Sequence, residues 1–85
     1  MTSYKITISR TAQKQLDKLP DNITDRLINA IYALSDNPRP SGCKKLKGRD
    51  GYRIREGNYR IIYEIFDQIL LIDVISLGHR QDIYD

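Results

Sequence analysis

The stretch that decides the fold occupies residues 52–63 and reads Tyr52-Arg53-Ile54-Arg55-Glu56-Gly57-Asn58-Tyr59-Arg60-Ile61-Ile62-Tyr63. Its two alternating halves flank Gly57-Asn58, a pair typical of the two-residue turn of a β-hairpin. Such a turn places Arg55 opposite Arg60 and Arg53 opposite Ile62. Because side chains alternate between the faces of a strand, the hairpin has one apolar face and one arginine face. The predicted apolar face carries Tyr52, Ile54, Tyr59, Ile61 and Tyr63.

The predicted pairing of Arg55 with Arg60 has an energetic cost. Like charges placed opposite each other destabilise a sheet by about 0.2–1 kcal/mol. A sequence that keeps three arginines on one face therefore indicates an anionic ligand for that face. The alternative, a charged outer face that is simply solvated, stays open at this point.

Length and composition indicate a single globular domain covering residues 1–85. The apolar fraction of 40% and charged fraction of 29% are ordinary for such a domain. No apolar run approaches the roughly 18 residues of a membrane span, and the N-terminus lacks the apolar segment of a signal peptide. One cysteine, Cys43, fits a reducing compartment, so a cytoplasmic protein without membrane association is expected. With one histidine and one cysteine, no metal or other cofactor is expected.

Positive charge is concentrated in residues 39–60. The whole chain has a net charge of +3, yet this segment alone holds eight basic residues and only two acidic ones. Such a concentration indicates a polyanionic partner, although a random basic loop would look the same. Four candidates for contacting that partner precede the hairpin: Lys44, Lys45, Lys47 and Arg49.

Two helices are predicted before the basic segment. Ser9 is placed to cap a helix over residues 10–19, and Asp21 or Asn22 to cap a second one. The apolar stripe of the second helix runs to about Asp36. The connection between the helices is so short that they must form a helical hairpin.

The other elements are strands. Residues 3–8 alternate, residues 45–48 could form a short edge strand, and residues 69–77 follow the 52–63 hairpin after a turn at Asp67-Gln68. A two-residue turn there would pair Phe66 with Ile69, Ile61 with Val74, and Arg60 with Ile75. The predicted fold is α+β, in the order β-α-α-β-β-β, with the helical hairpin packed on one face of a mostly antiparallel sheet. The core face of the sheet is predicted to gather Ile54, Ile61, Tyr63, Ile65, Leu70, Ile72 and Val74.

A candidate catalytic cluster follows from this topology. The antiparallel third strand of the meander brings His79 and Arg80 back towards the arginine face, with Tyr84 close behind. Guanidinium groups bind phosphate, histidine titrates near neutral pH, and an aromatic ring can stack on a base. The candidate set is Arg53, Arg55, Arg60, His79, Arg80 and Tyr84.

This set of side chains suits RNA cleavage without a metal ion. A 2′-hydroxyl attacks the adjacent phosphorus, the developing negative charge needs fixed donors, and the leaving 5′-oxygen needs a proton. Arginine suits stabilisation of the developing negative charge. It is a poor base for removing the 2′-hydroxyl proton, because it is always protonated. His79 is therefore the candidate base, and a turn histidine without a role is the alternative.

At these residues the chain resembles the RelE/ParE superfamily of toxins from type II toxin–antitoxin systems. The resemblance is carried by the order of elements, the segments Lys45-Leu46-Lys47-Gly48 and Gly57-Asn58-Tyr59-Arg60-Ile61-Ile62-Tyr63, and the segment Ile75-Ser76-Leu77-Gly78-His79-Arg80 followed by Tyr84. It implies that Arg60 stabilises the scissile phosphate, that Arg80 assists the leaving oxygen, and that Tyr84 stacks on or orients a base. Arg53 and Arg55 stand where the best-known RelE toxin has lysines.

The resemblance also implies a function and partners. RelE-like toxins cleave messenger RNA in the ribosomal A site, are neutralised by a cognate antitoxin, and bind operator DNA only through that antitoxin. The expected function is a ribosome-dependent mRNA endoribonuclease that inhibits translation. The alternatives are a ParE-like inhibitor of DNA gyrase and an inactive homologue that serves only as an antitoxin partner.

Overall fold

The computed structural model describes residues 3–79. The chain order is strand β1 (Lys5–Ile8), helices α1 (Arg10–Asp17) and α2 (Asp21–Ala33), and strands β2 (Lys44–Lys45), β3 (Tyr52–Glu56), β4 (Tyr59–Phe66) and β5 (Leu71–His79). The strands form one sheet in the order β1-β5-β4-β3-β2, in which only β1 and β5 run parallel. The predicted α+β class is confirmed, and the predicted order holds with the short strand β2 added between α2 and the hairpin. Neither helix of residues 3–79 is long and apolar enough to cross a membrane.

The β3–β4 hairpin has the predicted register. Arg55 lies opposite Arg60 and Arg53 opposite Ile62. Gly57 has a φ of +61°, which glycine adopts readily at the first position of a two-residue hairpin turn. A Cβ at Gly57 would lie 2.8 Å from the Nη2 atom of Arg26 on α2. This close approach allows Arg26 to reach Glu56 at 3.3 Å and tie the hairpin to α2.

The helix boundaries differ from the prediction in detail. Ser9 caps α1 as predicted, because its hydroxyl accepts a hydrogen bond from the Ala12 N–H at 3.1 Å. The prediction of a polar N-cap for α2 is wrong, since Pro20 occupies that position and no side chain caps the helix. Asp21 instead lies in the first turn, where its negative charge stabilises the helix by interacting with the positive end of the helix dipole. Helix α2 also ends at Ala33, three residues before the predicted Asp36.

The core lies between the two helices and one face of the sheet. Its buried members are Ala12, Leu16, Leu27, Ile31, Leu34, Ile54, Ile61, Tyr63, Ile72, Val74 and Leu77. The alternating apolar face of the β3–β4 hairpin therefore does form the floor of the core. Tyr63 is fully buried, and its hydroxyl donates to the Pro38 carbonyl at 2.7 Å, which ties the loop after α2 to the sheet.

The predicted β4–β5 register is wrong. Residues Asp67–Ile69 form a short 3₁₀ turn followed by Leu70 at a φ of +52°, so that Phe66 pairs with Leu71. A bulge then leaves Ile75 as an extra residue on β5. As a result Ile61 pairs with Leu77 rather than with Val74, and Arg60 with Gly78 rather than with Ile75. The observed register therefore buries a different leucine from the predicted one. Leu77 is fully buried, and Leu70, which was predicted to lie in the core, is 39% exposed.

This register predicts that two leucine substitutions differ strongly in their effect on stability. Leu77→Ala removes a fully buried side chain and should lower the free energy of unfolding by about 2–5 kcal/mol. Leu70→Ala truncates an exposed side chain and should change it by about 0.5 kcal/mol or less. Chemical denaturation of both variants measures the difference, and a larger loss in Leu70→Ala would contradict the observed register.

Candidate functional site

The arginine face of the hairpin lies on the side of the sheet away from the helices. Arg55 and Arg60 are direct cross-strand neighbours, and Arg53 follows one step along the same face of β3. On the far side of Arg53, Lys44 of β2 is its cross-strand neighbour. A row of four cationic side chains therefore runs from the β2 edge of the sheet to its middle.

These cations differ in their exposure to water. Arg55 is exposed, Arg60 is half-buried, and Arg53 is only 3% exposed. The Nε atoms of Arg53 and Arg60 are both shielded from solvent. Charge interactions strengthen where water is excluded, so a phosphate bound here would interact more strongly than at an open surface. The simple picture of a solvated outer face thus applies to Arg55 but not to Arg53.

The neighbour of Arg60 on β5 is Gly78. A glycine contributes no side chain at this register position, whereas the predicted neighbour, Ile75, would have placed a branched apolar chain beside the guanidinium. Ser76, the next residue of β5 on this face, pairs with Ile62. The side of Arg60 that faces β5 is therefore bordered by backbone and small side chains, which suits a bulky polar ligand.

His79 lies on the other face of the sheet. It pairs with Tyr59, and the two rings meet edge to face with their centroids 5.7 Å apart. Because Tyr59 belongs to the face that packs against the core, alternation separates His79 from Arg60. The expectation that His79 joins the arginines is not met by this register. Arg80 and Tyr84, the other two members of the predicted cluster, lie outside the described residues.

The basic segment before the hairpin divides in two. Lys44 belongs with the arginines, whereas Lys45 pairs with Tyr52 and holds its Nζ atom 5.3 Å from the centre of the Tyr52 ring. Lys47 and Arg49 are exposed in the loop that joins β2 to β3. Leu46 anchors this loop: its side chain is buried and its N–H donates to the Gly51 carbonyl at 3.0 Å. The edge strand predicted over residues 45–48 lies instead at Lys44–Lys45 and shares only Lys45 with the prediction, and Lys47 and Arg49 lie beyond it.

Arg39 has a structural role that its position in the basic segment did not reveal. Its Nη2 atom lies 2.9 Å from Asp67 Oδ2, its Nε donates to the Tyr52 hydroxyl at 3.3 Å, and Tyr4 also donates to Asp67, at 2.7 Å. The bonds from Arg39 and then Tyr4 hold the pKa of Asp67 below its usual range. The partner of Arg39 is 28 residues away along the chain, so no local pattern could have identified it.

Metal-ligating side chains are not grouped together anywhere in residues 3–79. Within residues 3–79 no three histidine, cysteine or acidic side chains come together in a way that could hold an ion. The outer face instead carries three guanidinium groups whose exposure to solvent decreases from Arg55 through Arg60 to Arg53, and Gly78 lies beside Arg60. Such a set can bind a phosphate and stabilise extra negative charge on it.

The two-helix layer on a five-stranded sheet matches the fold of solved RelE toxins, and comparison with known proteins identifies the class of protein. Residues 6–84 match the family model described as the ParE toxin of type II toxin–antitoxin systems. The chain belongs to this family, within the wider RelE/ParE superfamily.

Similar proteins and solved structures are also toxins or toxin–antitoxin complexes. The toxin RelG of Mycobacterium tuberculosis is 30% identical, with 95% of each chain covered. The mRNA interferase toxin RelE of Escherichia coli is 29% identical over 93% of this chain and 85% of that one. Among solved structures, the toxin–antitoxin complex RelBE2 from Mycobacterium tuberculosis contains a chain with a TM-score of 0.85 and 28% identity, with 94% of both chains covered.

Proposed function

We propose that this toxin is a ribosome-dependent endoribonuclease that cleaves messenger RNA in the A site and so inhibits translation. The observation that carries the proposal is the position of Arg60: half-buried in mid-sheet, opposite Arg55 and beside Gly78. A second support is the similarity to a toxin that is named an mRNA interferase.

The proposed reaction uses the nucleophile that RNA itself contains. The 2′-hydroxyl gives its proton to a base or to solvent as its oxygen attacks the adjacent phosphorus, and a pentacovalent phosphorane accumulates negative charge. The bond from phosphorus to the 5′-oxygen then breaks as that oxygen gains a proton, which leaves a 2′,3′-cyclic phosphate and a 5′-hydroxyl. Arg60 donates to the phosphoryl oxygens, where a preorganised donor acts most strongly because it is shielded from water. The reaction needs no metal ion when guanidinium groups supply this stabilisation.

The other residues have supporting roles in the proposal. Arg53 and Arg55 hold the neighbouring phosphates, and Lys44 extends their positive row to the edge of the sheet. Lys45, Lys47 and Arg49 at that edge and in the following loop contact the ribosome or the message. Their binding should weaken with salt, as phosphate contacts do.

The C-terminal residues complete the site in this proposal. Arg80 and Tyr84 keep the roles that the resemblance implies, namely assistance to the leaving oxygen and stacking on a base. His79 is a weaker candidate base than its sequence position indicated, since it contacts Tyr59 on the opposite face. Arg60 therefore receives the principal role.

A second candidate function has its own support. The matching family model bears the ParE name, and the resemblance implies that a ParE-like toxin acts on DNA gyrase rather than on messenger RNA. The same row of cations would then be a binding surface without chemistry. The two functions differ in what Arg60 does: a nuclease needs its guanidinium in the transition state, and a gyrase inhibitor does not.

Substitution of Arg60 tests the nuclease directly. Arg60→Ala should reduce single-turnover cleavage of a ribosome-bound message by about 100- to 1000-fold, the usual cost of a lost transition-state donor. Arg60→Lys should recover only part of the rate, because a point charge does not replace the two-pronged guanidinium. Removing one of two opposed like charges should leave the free energy of unfolding within about 1 kcal/mol of the parent value.

Arg10→Ala is a matched control, because Arg10 is an exposed arginine on α1, on the other side of the sheet. It should cleave at the parental rate. Parental cleavage by folded Arg60→Ala would contradict the catalytic role. A large drop in melting temperature would show instead that Arg60 is structural.

We also propose where the cognate antitoxin binds. Strand β2 pairs with only the first two residues of β3, and the rest of β3 borders a groove of about 430 Å³ beside α2. The groove is lined mainly by small or apolar residues: Ala30, Ala33, Leu34, Pro40, Ser41, Gly42, Ile54, Arg55 and Glu56. An antitoxin segment rich in acidic and apolar residues fits, with an apolar side chain in the groove and carboxylates towards the arginines. The similar structure from Mycobacterium tuberculosis is itself a toxin–antitoxin complex.

Filling the groove should weaken antitoxin binding. Ala33→Glu adds both bulk and a repelling charge at the groove, and should raise the Kd for the antitoxin by about tenfold or more. Asn29→Glu, which places the same side chain on an exposed position of α2 outside the groove, should leave the Kd within about threefold. Titration calorimetry at several salt concentrations measures both. Equal effects of the two variants, or dissociation of the parental complex by moderate salt alone, would refute the apolar anchor.

A further inference from the structure

Strand β5 changes its neighbour halfway along its length. Strand β1 pairs with it from Leu71 to Val74 and then ends at Ile8. Strand β5 continues to His79, and its second-last residue, Gly78, is the cross-strand neighbour of Arg60. On the edge that β1 has left, helix α1 takes over.

Two side chains of the α1 region bind the backbone of β5 along this edge. Ser9 donates from its N–H to the Val74 carbonyl at 2.9 Å and from its hydroxyl to the Ile75 carbonyl at 2.6 Å. Gln15, one turn and a half into the helix, accepts a hydrogen bond from the Leu77 N–H through Oε1 at 2.7 Å. The Ser9 N–H and the side chains of Ser9 and Gln15 thus bind the edge of β5 where β1 has ended.

These contacts surround the bulge. Tyr63 pairs with Val74 and Ile62 with Ser76, so that Ile75 is the extra residue. If the strands paired regularly, with no bulge and Ile75 opposite Ile62, Leu77 would lie beside Arg60 on the outer face and Ser76 beside Ile61 in the core. The bulge avoids both misplacements, since Leu77 is fully buried against the helices and Gly78 lies beside Arg60.

We propose that Ser9 and Gln15 clamp the bulged end of β5, and that Gln15 is a positioning residue for the phosphate site at Arg60. The bond from Leu77 holds the following residue, Gly78, in register with Arg60. Ser9 has a second task as the cap of α1, so its substitution would mix two effects, whereas the clamp contact is the one described hydrogen bond of the Gln15 side chain. The catalytic part of this inference rests on the proposed nuclease function, and the clamp itself does not.

Three variants separate the contributions. Gln15→Met keeps the length of the side chain but removes the acceptor, so that the buried Leu77 N–H loses its hydrogen bond to Gln15. Gln15→Glu keeps an acceptor at the same position and should rescue the contact. Gln13→Met is the matched control: Gln13 lies on the same helix, is exposed, and binds Asp17 at 3.0 Å rather than β5.

Hydrogen exchange and cleavage kinetics are measured on each full-length variant. Gln15→Met should speed exchange of the Leu77 amide by about tenfold or more, the cost of an unsatisfied buried donor. It should lower the cleavage rate constant at saturating ribosomes by about 10- to 100-fold, because a small displacement of a catalytic site is that costly. The half-saturating ribosome concentration should stay within about twofold, since the basic edge at β2 is untouched. Gln15→Glu should restore exchange and rate, and Gln13→Met should match the parent.

The clamp and the nuclease fail in different ways in this experiment. Unchanged Leu77 exchange in Gln15→Met would overturn the clamp. Faster exchange with parental cleavage would overturn the positioning role. Absence of cleavage in the parent itself would overturn the proposed nuclease function, and Leu77 exchange would still decide whether the clamp exists.

Discussion

The pairing of β3 with β4 through the turn at Gly57 and Asn58 is the constraint on which the rest of this structure depends. Because side chains alternate, this single register sends Ile54, Ile61 and Tyr63 towards the helices and the arginines away from them. A shift of β4 by one residue against β3 would turn over the faces of β4, which would bring Arg60 to the core face and send Ile61 and Tyr63 out of the core. The core and the candidate site are therefore two consequences of the same hydrogen-bond ladder.

The hairpin could be predicted from the sequence because everything that determines it is local. The turn residues and the alternating flanks lie within 12 residues of one another. The next pairing could not be predicted in the same way. Its register depends on a 3₁₀ turn with Leu70 at positive φ, and on a bulge held by Ser9 and Gln15, which lie more than 60 residues earlier in the chain. The two-residue turn predicted at Asp67-Gln68 is therefore wrong, and it misplaces Leu70, Leu77 and the neighbour of Arg60.

Charge shows the same division between local and distant causes. The basic composition of residues 39–60 indicated an anionic partner, but composition does not say which cations are available to it. Arg39 is engaged with Asp67 and Tyr52, and Lys45 lies over the Tyr52 ring. Arg53 is buried although its pattern is that of an outer face. The proposed phosphate site is thus narrower than the basic segment, and it is centred on the row from Lys44 to Arg60.

The most direct test of the account is to map the 5′ ends of a message by primer extension in a purified translation reaction. The account predicts that the parent protein produces new ends inside translated codons, and that a message without its start codon remains uncut. Arg60→Ala should leave both messages intact. An uncut message in the presence of folded toxin, together with loss of gyrase supercoiling activity, would contradict the account, as would equal cutting of translated and untranslated RNA.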